Sequence, residues 1–215
     1  DRGLNPFGSQ KVVVAVIDNG CALNHPDLSG DGKIVGPINF VDGSADPAPG
    51  KGSMAFHGTA CAGLAVGNSE GKAGIGVAPA CRLMPIKWSA EILETAVEKW
   101  FKHSMKGGTP GTPSAANTDG AWIVSCSWAP EATRYPISDT MAQIITDCAT
   151  KGRPVAGGAD ALGCVICFAV GNTPVDIDAD ATMNGFAMHK DVLAVSGCTI
   201  EDRAWPSSAF GHSVD

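Results

Sequence analysis

The stretch "KVVVAVIDNGCALNHPDL", Lys11 to Leu28, decides how the chain is built. The apolar run from Val12 to Ile17 is short and made almost wholly of Val and Ile, so it reads as a buried strand of a parallel sheet. It ends on a carboxylate, Asp18. Asp18-Asn19-Gly20 is turn chemistry, because Asn and Gly accept the backbone angles that close a strand. A carboxylate at the carboxyl end of such a strand lies on the rim where open α/β sheets place their sites. It can equally start a turn or cap a helix, and this stretch alone does not choose.

Further strand-like runs follow at Leu83–Trp88, Ala121–Trp128, Cys164–Val170 and Val192–Cys198. Between them lie two amphipathic patterns. In "AEILETAVEKWFKHSMK", residues 90–106, Ile92, Leu93, Ala96, Val97, Trp100, Phe101 and Met105 keep helical spacing. In "ISDTMAQIITDCATKG", residues 137–152, Ile137, Met141, Ile144, Ile145 and Cys148 do the same, and Gly152 suits the stop. Strands alternating with helices predict right-handed βαβ units and a mainly parallel, twisted α/β sheet flanked by helices. "GGTPGTPSAANTDG", Gly107 to Gly120, reads as a flexible surface loop. No internal repeat or domain boundary shows, so residues 1–215 are read as one domain.

Composition narrows the function classes. A hydrophobic fraction of 44% is ordinary for a globular protein. A net charge of −7 argues against a nucleic-acid partner, which would want a basic face. No apolar run approaches a membrane span, and no signal peptide or lipidation motif is visible in a chain that opens at Asp1. Eight Cys could form disulfides in an oxidising compartment, though their number does not choose. Cys164 and Cys167 make a C-x-x-C inside the apolar strand "GCVICFAV", where positions three apart face opposite ways, so neither a mutual disulfide nor a zinc knuckle is expected there.

Two more stretches carry chemistry-bearing residues. In "FHGTACAGLAVGNSEGKAGIGVAP", His57 opens a helix of small residues, which let it lie close to its neighbours and predict that it is buried. A His so placed is either structural or a general base whose ring a carboxylate orients. In "CFAVGNT", Asn172 follows a buried strand and Gly171. Its amide can cap a turn or donate to a developing oxyanion.

Taken together and in this order, these stretches resemble the subtilisin-like serine proteases. "AVIDNG" with "HPDL" resembles that family's aspartate motif, "HGTACAG" with "GIGVAP" its histidine motif, and "AVGN" its oxyanion motif. "SCSW", Ser125 to Trp128, stands where the family has its substrate-binding strand, and "DVLAVSGCTIEDRAWPSSAFG" resembles the segment preceding the catalytic serine. The resemblance runs from Lys11 to Asp215. It implies a serine endopeptidase acting on polypeptides, with Asp18 as triad acid, His57 as base, Asn172 as oxyanion donor, and Ser127, Trp128, Ala129 and Gly171 against the substrate. The Asp…His…Ser order and the role of the oxyanion Asn are well-known subtilisin features. It also implies a structural calcium held by Asp27, Asn68, Glu70 and Gly74, oxygen ligands that suit this ion. An extracytoplasmic compartment is expected.

Two departures qualify the resemblance. The family's nucleophile lies in a Gly-Thr-Ser-x-Ala motif beyond the matched region, and no Ser of this chain has that context. The expected partner is therefore a C-terminal fragment or second chain that carries the serine. A shortened chain and an inactive, subtilase-like binding module are the alternatives. Secondly, Ala129 and Pro130 follow Trp128 where the family often has Gly, and Pro has no N–H for strand-like pairing with substrate. The acidic run Asp176, Asp178, Asp180 can bind calcium or be a solvated loop, and the latter is preferred. Cys61, one helical turn after His57, is expected beneath the imidazole.

Overall fold

A computed structural model describes residues 7–68, 74–88, 91–106, 120–130, 133–153 and 161–215. The strands are β1 (Val13–Asp18), β2 (Ile38–Asn39), β3 (Arg82–Lys87), β4 (Ile123–Cys126), β5 (Val165–Ala169) and β6 (Leu193–Val195). The helices are α1 (His57–Val66), α2 (Glu94–Lys106) and α3 (Asp139–Lys151). The strands form one sheet in the order β2-β3-β1-β4-β5-β6, and every named pair is parallel. This is the doubly wound α/β arrangement expected from the alternating pattern. The chain goes from β1 to β3 on one side and then crosses to β4 on the other, so the order reverses at β1. Ligands of open α/β sheets gather at such a switch point.

All six residues of β1 are buried, which is why its apolar run does not alternate. Val13, Ala15 and Ile17 face the main core, where α2 and α3 pack together with Trp100, Phe101, Ile145 and Phe168. Val14 and Val16 face a smaller core under α1 with Ala62, Val66 and Leu83.

The structure shortens and shifts several expected elements. β4 runs only from Ile123 to Cys126, and α2 begins at Glu94, leaving Ile92 and Leu93 ahead of its first turn. In α3 the Ser138 hydroxyl accepts from the Met141 amide at 3.2 Å and fixes the start, so Ile137 lies outside the helix. The short strand β2 has no apolar run to announce it. The expected loop at residues 107–120 lies, but for Gly120, outside the described residues.

The expectation that α1 is buried needs correction. Gly58, Ala62 and Val66 face the sheet, but Leu64 is 74% exposed and Ala60 is open to solvent. The register of the sheet gives the physical reason. Val16, Ser125, Cys167 and Leu193 stand side by side on the face that carries α1, and α1 packs on β1 and β3. Over β5 and β6 the same face is open, with Val165, Leu193 and Val195 each about half exposed.

Candidate active site

Asp18 ends β1 at the switch point and is 2% exposed. Its Oδ1 accepts from the Asn19 amide at 2.8 Å and from His57 Nδ1 at 2.9 Å, while Oδ2 lies 3.1 Å from the same ring nitrogen. A carboxylate this deeply buried relies on such donors in place of the water it has lost. The contact fixes the imidazole tautomer with its proton on Nδ1, which leaves Nε2 as the ring's acceptor.

The close approach depends on the residue after the histidine. A Cβ on Gly58 would lie 2.3 Å from the Gly20 carbonyl oxygen and 2.8 Å from Asp18 Cβ. Any side chain there would push the first turn of α1 away from β1 and break the Asp18–His57 contact. The small residues of "HGTACAG" are thus a packing requirement of the pair.

Asn19 is a positioning residue that reading it as turn chemistry missed. Its Oδ1 accepts from the Gly58 amide at 3.1 Å, and its Nδ2 donates to the Met54 carbonyl at 2.7 Å. The residue at the helix start, Phe56, offers no side-chain cap, so Asn19 caps α1 from the neighbouring strand end. Thr59 adds a second tie, its hydroxyl accepting from the Ala22 amide at 3.0 Å. An Asn immediately after a strand-ending carboxylate was the available signal.

Cys61 Sγ lies 3.8 Å from His57 Nδ1, where the i, i+4 spacing placed it. Burial pushes its thiol up, a hydrogen bond with Ser127 acts the other way, and the Asp18 charge raises it further. A raised thiol is a poor nucleophile at neutral pH.

β4 lies between β1 and β5, so Ser127–Ala129 separate the Asp18–His57 pair from Asn172. Asn172 follows β5 after Gly171, whose φ of +118° turns the chain outward, and its side chain is exposed. A cavity of about 350 Å³ opens between these two strand ends, walled by Ser127, Trp128 and Ala129 on one side and Gly171 and Asn172 on the other. Trp128 reaches it from the core: its indole is 6% exposed, packs edge-on to Phe168 and Phe186, and donates to the Ile17 carbonyl at 3.0 Å. Trp128 thereby locks β4 to β1.

The cation-ligand candidates are partly brought together. Asp27 is buried, its carbonyl accepts from the Asn68 amide at 2.7 Å, and its Oδ1 has no hydrogen-bond partner among the described residues. Gly74 is described and Glu70 lies outside the described residues. The Asp176–Asp180 run is otherwise engaged. Asp178 accepts from the Ser213 amide and hydroxyl, and Asp180 pairs with Arg134 at 2.8 Å.

The Subtilase family model matches residues 9–215. The calcium-dependent protease of Nostoc sp. is 30% identical over 214 residues, an alignment covering 94% of this chain and 28% of that protein. Human furin is 29% identical over 207 residues, covering 94% of this chain and 24% of furin. This chain therefore spans less than a third of the length of these relatives. The solved protease domain of a PatA mutant superposes with a TM-score of 0.71 at 18% identity, covering 97% of this chain and 65% of that one. That likeness speaks for the fold, and the family model and the Nostoc relative speak for descent. With its buried aspartate and α1 histidine in contact across the switch point, this chain belongs to the subtilase family.

Proposed function

We propose that this chain supplies the acid, the base and the oxyanion donor of a serine endopeptidase. The observation that carries the reading is the Asp18–His57 contact on the rim of the sheet. A serine hydroxyl is a weak nucleophile near neutral pH and needs a base to take its proton as it attacks a peptide carbonyl. His57 Nε2 takes that proton, Asp18 stabilises the resulting imidazolium, and His57 returns the proton to the leaving amine. Asn172 donates to the oxyanion that forms on the carbonyl oxygen. The polypeptide substrate lies along Ser127–Ala129 and Gly171, with one side chain in the cavity between β4 and β5.

The serine comes from a segment outside these 215 residues, on the same polypeptide or on a separate fragment or second chain. The open apolar face beside α1, over β5 and β6, supports this reading. A contiguous exposed apolar face on a sheet marks a surface that another element covers. An element seated there would lie against α1 and could reach His57. The assembled enzyme works outside the cytoplasm.

Asp27, Asn68 and Gly74, with Glu70 outside the described residues, would hold a structural calcium. The buried Asp27 Oδ1, without a hydrogen-bond partner among the described residues, supports it, since a buried carboxylate oxygen without a donor wants a cation. The Nostoc relative's name, calcium-dependent protease, points the same way. The ion supplies stability and takes no part in bond cleavage.

The test is the assembly with the serine-bearing segment present. His57→Ala should lose casein hydrolysis by several orders of magnitude and lose labelling by a serine-directed phosphonate. Full activity in that variant would remove the proposal, as would a His57-dependent hydrolysis that no serine reagent blocks.

A further inference from the structure

Behind the sheet, on the face away from His57, two cysteines meet that the chemistry above does not use. Cys148 is in the last turn of α3 and Cys164 immediately precedes β5. Both are buried in the main core. The Cys164 amide donates to the Cys148 carbonyl at 3.1 Å, and the Gly152 amide donates to the same oxygen at 3.2 Å. Standard backbone dimensions then hold the two Cα atoms within about 7 Å of each other, near the upper edge of the roughly 4.4–6.8 Å that a disulfide spans. Both side chains enter the same main core, and each thiol's electrostatics is governed first by the other.

The junction around them is drawn tight. A Cβ on Gly152 would lie 2.4 Å from Cys164 Sγ, and one on Gly163 would lie 1.8 Å from the Ala149 carbonyl oxygen. Glycine at both places lets the end of α3 and the entry to β5 close on each other with the sulfurs between them. Cys167 is not a competing partner for Cys164. It stands beside Ser125 and Leu193 on the opposite face of the sheet.

We infer that Cys148 and Cys164 form a disulfide when the chain folds in the presence of a low-molecular-weight disulfide, clamping the end of α3 to the start of β5. The exchange balances with that co-reactant alone. The Cys164 thiolate attacks one sulfur of oxidised glutathione and releases one glutathione thiolate. The Cys148 thiolate then attacks Cys164 Sγ and releases the second. Two protein thiols lose two electrons and two protons, and the glutathione disulfide gains them as two thiols. Cys164 is the first to attack. The hydrogen bond from Cys148 holds its thiol below the ordinary value and the Arg153 charge acts alike, whereas that same contact, then burial, pushes Cys148 up. In the resting thiol form Cys164 donates to the Ala121 carbonyl at 3.0 Å, a bond given up on oxidation.

The clamp bears on the strand that ends at Gly171 and Asn172, yet the inference does not depend on any catalytic role for them. A cross-link closing a loop of about 15 residues limits the unfolded chain enough to raise the melting midpoint of a protein this size by about 5–10 °C. The experiment folds the protein with its serine-bearing segment present in a glutathione redox buffer, blocks free thiols with an alkylating reagent after denaturation, and maps peptides without reductant. A linked peptide joining Cys148 to Cys164, about 2 Da lighter than the sum of its thiol forms, is the expected result. Reductant should then lower the midpoint of the wild type and leave that of Cys148→Ala unmoved. Quantitative alkylation of both thiols in the wild type would overturn the inference, and so would either sulfur turning up bridged to a different cysteine. Both overturning results are read on the wild type, so they stand even where Cys148→Ala does not fold.

Discussion

At Gly58 a single missing carbon atom permits the Asp18–His57 contact, and the neighbouring residues show how much of the site rests on such details. Asn172 is exposed and carries no packing duty, so its removal should act on chemistry rather than on folding. Asn172→Ala is expected to lower kcat by roughly 10²–10³ with KM nearly unchanged, the cost of one lost oxyanion donor. A change confined to KM in steady-state kinetics would show that Asn172 only binds substrate. Cys61 is a different case, a raised thiol beside the imidazole. A mercurial on its sulfur should displace the ring, and misplacing a catalytic group by about 1 Å costs on the order of 10² in rate. Inhibition relieved in Cys61→Ala, a variant that keeps most of its activity, is the expected outcome. Undiminished inhibition of Cys61→Ala would move the sensitive sulfur elsewhere, though not readily to Cys21, whose thiol burial and the Asp18 charge push up to about 12. Asp18 at a strand end and Cys61 one turn after His57 were legible from strand ends and helix spacing, whereas the pairing of Asp18 with His57 came from the resemblance. Asn19 was not, because its role is to reach a neighbouring helix.

At the scale of elements, α1 is held at both ends by groups from outside it. Asn19 caps its start, and the buried Lys33 ammonium receives its end. Lys33 Nζ donates to the carbonyls of Val66, Pro79 and Cys81, the last two at 2.7 and 2.8 Å, and so ties the helix to the segment entering β3. Lys33→Met would keep the apolar stem and strand these carbonyls. The loss should be about 3 kcal/mol, seen as a lower urea midpoint with unchanged slope. An unaltered midpoint would mean that water replaces the ammonium at no cost. No pattern in the sequence marks Lys33, whose partners lie more than thirty residues away. The strands were read correctly in place and number apart from β2, because continuous Val and Ile runs survive any register. Their ends were misjudged by one to three residues, since a strand stops where its neighbour's hydrogen bonds stop, and that is a property of the sheet.

For the whole molecule, the two sides of the sheet differ in what the chain itself supplies. The side of α2 and α3 is a closed core centred on Trp100, Trp128, Phe168 and Phe186. Among the described residues, the side of α1 is closed over β1 and β3. One strand's own pattern cannot say whether a helix will cover it, so the openness of this face is not readable strand by strand. A calcium ion held by Asp27 would fasten the loop after α1 to the 3-10 turn Pro26–Leu28, two segments joined by the Asn68 amide and Asp27 carbonyl. An ion that binds only the folded state stabilises it by mass action, about 4 kcal/mol at a thousand times its Kd. Melting in excess calcium should therefore exceed melting in chelator by about 10 °C for a chain of this size. Asp27→Asn keeps the shape but removes the charge that faces the ion, and should erase most of that difference while melting near the chelated wild type. Equal wild-type midpoints in calcium and chelator, with elemental analysis finding no bound calcium, would leave the orphaned Asp27 oxygen to be met by water and remove the ion from the fold.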